Sequence, residues 1–418
     1  MLFDVQKKNR RNLFPVLLTY FLDNFGLAII YPIFTPLLIR TENSLLSSSS
    51  PYFERTLLLG FLIASFPLAQ FFGAPLIGQF SDRIGRKRVF YITIAGTALG
   101  YTVTAISIMN HSLTGLFISR LATGLFAGNL TLCLATLAHI SPDDTSRTRN
   151  FSLLNAVGGL SFIIAVAFGG IFSNPNISRH FNPSFPFWIT ALFSYINLIC
   201  LHIFFHEPHK GPRHPGFNPF KGIHHLLQGI RSRELRALYT VNFLFMLAWI
   251  ASMQFLPTLL LQQFQFDIGG TTCALMGASL IWSLASLFLN RRLAKTYFSG
   301  NILFASLPLL GCLFLVSGMS SGPTNFLLFF IISACFASLC WTNGIATISI
   351  KAPLAIQGSI LGINQSFTSA AAMLSPIIGG FLAALNAHLI YVFGALCCLT
   401  AFLILKRSRA YEYHSHVD

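Results

Sequence analysis

GQFSDRIGRKRVF, residues 78–90, sets one acid and four bases between two long apolar runs. The flanking runs, 56–80 and 89–109, each have the roughly 20 residues that an α-helix needs to cross hydrocarbon. The charged knot between them is therefore the turn where the chain leaves a bilayer and re-enters it. The rest of the chain repeats this pattern: 54% of its 418 residues are hydrophobic, 9% are charged and the mean hydropathy is +0.67. Such a chain has lipid as its main solvent and is an integral membrane protein.

Working outward from the knot, the apolar runs number twelve: 13–39, 56–80, 89–109, 113–138, 151–173, 185–205, 237–261, 271–290, 300–318, 325–349, 358–384 and 387–405. They are continuously apolar at helical length rather than alternating, so the expectation is an all-α membrane fold and not a barrel. Lys and Arg of short loops stay on the cytoplasmic side. With the amino terminus inside, 23 of the 27 bases fall in cytoplasmic segments. Arg40, Arg55 and Arg179 fall outside, and Arg120 lies within a span. Both termini are expected in the cytoplasm. The net charge of +15 then reflects topology and attraction to anionic lipid, not nucleic-acid binding.

MLFDVQKKNRRN leads straight into a span too long for a signal peptide, so the first helix is read as the insertion signal. The eight cysteines lie in or near apolar runs without metal-site spacing, and no cofactor is expected. One long polar stretch, from His206 to Leu235, is rich in Pro, Gly, His and bases. It divides the chain into an amino-terminal six-helix bundle (1–206), a cytoplasmic linker (207–236) and a carboxy-terminal six-helix bundle (237–418). A weak internal repeat agrees: shifting the fifth span by 210 lays Gly169 and Gly170 on Gly379 and Gly380, and Asn155 on Gln365. Two such bundles related by a pseudo-two-fold axis along the membrane normal would hold a central site.

The opening stretch resembles, nearly position for position, the loop between spans two and three of the major facilitator superfamily, G-x-x-x-D-R-x-G-R-[KR]. The matching residues are Gly78, Asp82, Arg83, Gly85, Arg86 and Lys87. Three further stretches resemble the twelve-span drug:proton antiporters that include tetracycline efflux proteins. These are Asp23 with Pro32 nine residues on, Arg120 with Gly124, and QGSILGINQS opening at Gln357 and Gly358. The resemblance implies the major facilitator fold, and it implies that the loop acts as a conformational latch, Asp82 meeting the start of the eleventh span at Gln357 and Gly358. The fifth span departs from the antiporter pattern: Ala165 and Val166 stand where Gly-Pro is usual. That departure keeps uptake open beside export.

Of the twelve acids, Asp23 is the one set well inside a span. A charge near the bilayer centre costs about 2.5–3.5 kcal/mol, so it needs a cavity or a partner. Arg120 is the expected partner. Desolvation favours the protonated carboxyl and a guanidinium favours the charged one, so a substrate that disturbs the pair would load or release a proton. Thr19, Tyr20, Asn24, Asn129, Asn155, Asn242, Gln254, Asn343 and Gln365 are candidate cavity residues, with Gln70 and Asn364 also within spans. The absence of a phosphate loop leaves an ion gradient, here protons, or the substrate's own gradient as the energy source.

The leading expectation is a monomeric inner-membrane secondary transporter. It exports a lipophilic or amphiphilic small molecule against protons by alternating access. The alternative is uptake or exchange of a polar or anionic metabolite drawn to Arg120. An enzyme is not expected, since no span pairs carboxylates or sets a nucleophile beside a base.

Overall fold

In hydrocarbon a backbone must satisfy its own hydrogen bonds, and the described apolar runs do so as helices. The computed structural model describes residues 2–40, 45–47, 49–129, 132–133, 136–137, 144–207, 233–351 and 357–412. At 2–11, 75, 78, 79, 82, 83, 144–152, 155, 357–359, 361 and 362 only the backbone is described. The helices are α1 (Leu2–Ala28), α2 (Tyr31–Ile39), α3 (Tyr52–Ile84), α4 (Arg86–Met109), α5 (Leu113–Phe126), α6 (Asp144–Phe172) and α7 (Phe185–Phe204). There follow α8 (Arg233–Gln254), α9 (Leu256–Gln263), α10 (Ile268–Leu284), α11 (Ser299–Met319), α12 (Pro323–Lys351), α13 (Gln357–Leu385) and α14 (Leu389–Ser408). A π-helical segment, Ala285–Asn290, extends α10.

Among the described residues ten helical stretches are long and apolar enough to cross a membrane, α1 and α2 counting as one. Two shorter apolar helices, Leu113–Phe126 and Ala156–Phe172, lie at the fourth and fifth expected spans. An apolar helix thus lies at each of the twelve expected positions. The chain divides into two compact units, Met1–Ser48 with Ser65–Pro219, and Ser49–Ala64 with Phe220–Asp418.

The charged turn is built from two helix ends. Gly85, at φ 93° and ψ 153°, separates α3 from α4 in a conformation that is essentially closed to other residues. The backbone N–H groups of Arg86 and Lys87, which open α4, donate to Oε1 and Oε2 of Glu207 at 2.8 Å each. A side chain on Gly85 would also press on that carboxylate. In return Lys87 Nζ donates to the carbonyl of His202 in the last turn of α7, at 3.1 Å. An acid sits on a helix amino terminus and a base on a helix carboxyl terminus, each where the helix dipole favours it. Next to Glu207, His206 exchanges two 2.8 Å hydrogen bonds with the Asn12 side chain, which ties α1 to the end of α7.

Two spans are broken alike. In the first, α1 stops at Ala28 and α2 begins at Tyr31 with Pro32 in its first turn. In the seventh, α8 stops at Gln254 and α9 begins at Leu256 with Pro257 in its first turn. Pro cannot donate, so it is tolerated at a helix start. Each break rests on a glycine: Gly169 of α6 packs on Ile29 and Pro32, and Gly379 of α13 packs on the Phe255 ring. These are the glycines that the 210-residue repeat superposes. Pro36 and Pro376, by contrast, lie inside continuous helices.

The second unit has an aromatic core. Trp249 of α8 stacks on Trp282 at 5.0 Å and on Phe330 at 6.1 Å, and Tyr391 stands edge-on to Phe326 and Phe330.

Candidate functional site

Asp23 lies in the last two turns of α1, deep in the first unit and only half-buried, so part of it stays reachable. Its Oδ1 accepts from Asn129 Nδ2 at 3.0 Å. A break in the fourth span brings Asn129 there. Helix α5 ends at Phe126, Ala127 and Gly128 leave the helical path, and Gln70 Nε2 of α3 donates to the Ala127 carbonyl that the break frees. Irregular backbone at membrane depth persists where a side chain restores such a bond.

Arg120 is fully buried on α5, and its Nε, Nη1 and Nη2 make no hydrogen bond. The guanidinium lies over the Phe66 ring, 4.5 Å from its centre, with Phe34 at 5.7 Å. Gly124, one turn on, lets the α5 backbone approach Phe66 of α3 closely enough for this stacking. The expected ion pair between Asp23 and Arg120 is therefore not formed. Asn129 serves the carboxylate, and two aromatic faces hold the cation, an attraction that strengthens where water is excluded.

Of the other candidates in this unit, Asn24 donates to the Tyr20 carbonyl of its own helix at 2.8 Å, and the Tyr20 ring packs on Gly158 of α6. Thr19 is buried and accepts from Asn197 of α7 at 3.1 Å, a bond that joins two helices. The side chain of Asn155 lies outside the described residues. So do those of Asp82, Arg83 and Gln357, and Gly78 and Gly358 are described by backbone alone. Of the expected latch, Gly85, Arg86 and Lys87 are seen in the Glu207 arrangement described above.

The second unit gathers amides. Asn242 Nδ2 of α8 donates to Asn364 Oδ1 at 2.8 Å and Thr368 Oγ1 at 3.3 Å, both on α13. Asn343 of α12 donates to Asn290, the last residue of the π-helical segment, at 2.7 Å. Gln254, at the break of the seventh span, is buried with its Oε1 unpaired, and Gln365 is exposed. Phe34, Phe66, Tyr101 and Asn290 were not singled out by sequence. Gly26, one turn beyond Asp23, was the available signal for Tyr101, since a small residue on that face admits a close neighbour.

These features lie in a chain whose residues 16–323 match the family model described as Major Facilitator Superfamily. The chain belongs to the major facilitator superfamily. It is accordingly a multi-pass membrane transporter of a small-molecule substrate and not an enzyme. The tetracycline resistance protein of class E from Escherichia coli is 24% identical over 407 residues, 95% of either chain. The class H protein from Pasteurella multocida is 31% identical over 202 residues, so the chain spans about half that relative's length (46%) and matches with 48% of its own. Major facilitator superfamily domain-containing protein 10 of Mus musculus is 26% identical over 82% of this chain and 76% of that protein.

Among solved structures, the human organic anion transporter MFSD10 (TETRAN) aligns at TM-score 0.70 and 22% identity over 95% of this chain and 99% of that one. A D-xylose–proton symporter aligns at TM-score 0.74 and 13% identity over 95% and 97%. At such identities these structures bear on the fold.

Proposed function

We propose that this major facilitator transporter exports a lipophilic or amphiphilic compound in exchange for protons, by alternating access in a cytoplasmic (inner) membrane. The observation that carries the reading is Asp23, a carboxylate deep in an apolar bundle, partly reachable and bonded by one neutral donor, Asn129. A carboxyl so placed takes up a proton when its surroundings are apolar and releases it when water or a cation approaches. The names of the tetracycline resistance relatives support a drug-like cargo. No cofactor beyond the proton gradient is invoked, the working unit is a monomer, and the turn at Gly85 serves as a cytoplasmic latch.

Arg120 favours a second reading. A buried guanidinium with no hydrogen-bond partner attracts an anion, so an anionic metabolite is the alternative cargo. One structural neighbour is itself an organic anion transporter, which is in keeping with that.

Protein reconstituted in liposomes under an imposed pH gradient tests both. Export by exchange moves cargo and protons in opposite directions, and Asp23→Asn abolishes gradient-driven movement while leaving the Tm within a few degrees. Gradient-driven transport that survives Asp23→Asn eliminates the proton site.

A further inference from the structure

A buried tyrosine lies against the helix of Asp23, one turn from it. Tyr101 of α4 is 3% exposed, and it reaches across to α1. A methyl built on Gly26 would overlap the Tyr101 hydroxyl oxygen, so the hydroxyl occupies the place where a side chain at 26 would begin. Residues 23 and 26 are one turn apart on the same face of α1, neighbours at about 5–6 Å. On its other side α4 is locked to the Arg120 helix. Thr104 Oγ1 donates to Ser119 Oγ at 2.9 Å, and Gly100 packs on Thr123. The tyrosine thus stands between the helix that carries the acid and the helix that carries the base.

Resting on the reading of Asp23 as the proton carrier, we propose that Tyr101 is a positioning residue through which Arg120 acts on Asp23. In the structure the guanidinium makes no hydrogen bond and the hydroxyl rests against Gly26. When the carboxylate is charged, the hydroxyl would donate to it and accept from the guanidinium, two roles that one phenol can fill together. The separation of Asp23 and Arg120 in this structure then has a purpose. A direct ion pair would hold the acid charged permanently, whereas a hydroxyl that swings between Gly26 and the carboxylate lets the cation's influence be applied and withdrawn. The other titratable groups in range of Asp23 are Tyr20 on its own helix and Cys133 beyond Asn129. Helices α6 and α7, which pack on α1, present it with no titratable side chain among the described residues.

The test needs no cargo. Dicyclohexylcarbodiimide reacts with protonated carboxyls in apolar surroundings, so the yield of modified Asp23, read by mass spectrometry across pH, reports its protonation in the full-length protein in liposomes. Asp23→Asn provides the unlabelled control. Tyr101→Phe keeps the ring and loses the hydroxyl, and Gly26→Ala displaces the hydroxyl from the opposite helix. Both should move the pH of half-maximal labelling upward by about half a unit or more, because the charged form loses a donor. For Tyr101→Phe the Tm should stay within a few degrees. Wild-type labelling that depends on pH but is unmoved in Tyr101→Phe overturns the role of Tyr101 and leaves the proton site standing. Asp23 unlabelled at every pH overturns both.

Discussion

At Arg120 the guanidinium leans on two rings of unequal distance, and the inequality makes a prediction. Phe66→Leu should cost about 1–2 kcal/mol of stability, the value of a desolvated cation–π contact, and Phe34→Leu clearly less. Thermal unfolding in detergent would show this as a Tm drop of roughly 1–2 °C for the first. Asn129→Ala removes the side-chain donor from the carboxylate, and proton-driven transport should fall about tenfold, the equivalent of one lost charged hydrogen bond. Sequence made Asp23, Asn129 and Arg120 legible because polar groups in hydrocarbon are costly and few. It did not reveal that Asp23 and Arg120 stand apart. Spacing along a helix tells which face a residue shares, whereas the neighbour it meets across the bundle depends on breaks such as Ala127–Gly128.

Among the elements, α4 owes its start to two residues 122 positions apart, Gly85 and Glu207. Gly85→Ala should destabilise by about 1–3 kcal/mol through its backbone angles. Glu207→Ala should expose the Arg86 and Lys87 amides, raising their hydrogen exchange roughly tenfold for about 1.4 kcal/mol of lost capping. Before α14, burial against Phe264 and Phe326 holds the His388 imidazole below its ordinary range. Its neutral form is built into the fold, so stability is intact above about pH 6.5 and declines as the pH falls below it. A pH series of Tm values should flatten in His388→Phe. The helices themselves were legible, since hydrocarbon permits little else. The breaks were only half legible. Pro32 and Pro257 mark real interruptions, whereas Pro36 and Pro376 lie inside continuous helices.

For the whole molecule, the asymmetry of basic residues predicts that both termini face the cytoplasm. Single-cysteine reporters near either end should accept a membrane-impermeant maleimide only after the cytoplasmic face is opened. The family was readable from one loop because its pattern combines charge with a backbone turn that only glycine makes. The cargo was not, because the amides and rings that line helices also serve to pack them. The division of chemistry between the units carries a final consequence. The acid sits beside the break of one unit, while the corresponding stretch of the other, around Ala248 and Trp249, offers an alanine and an indole. Under the proposed proton exchange, a single carboxylate would carry one proton per turnover. Exchange for an uncharged compound would then shift one positive charge inward, so membrane voltage alone, at about 2.3 kcal/mol per 100 mV, would drive expulsion without any pH difference. A potassium diffusion potential would reveal this as current, and a monovalent cationic cargo would silence it.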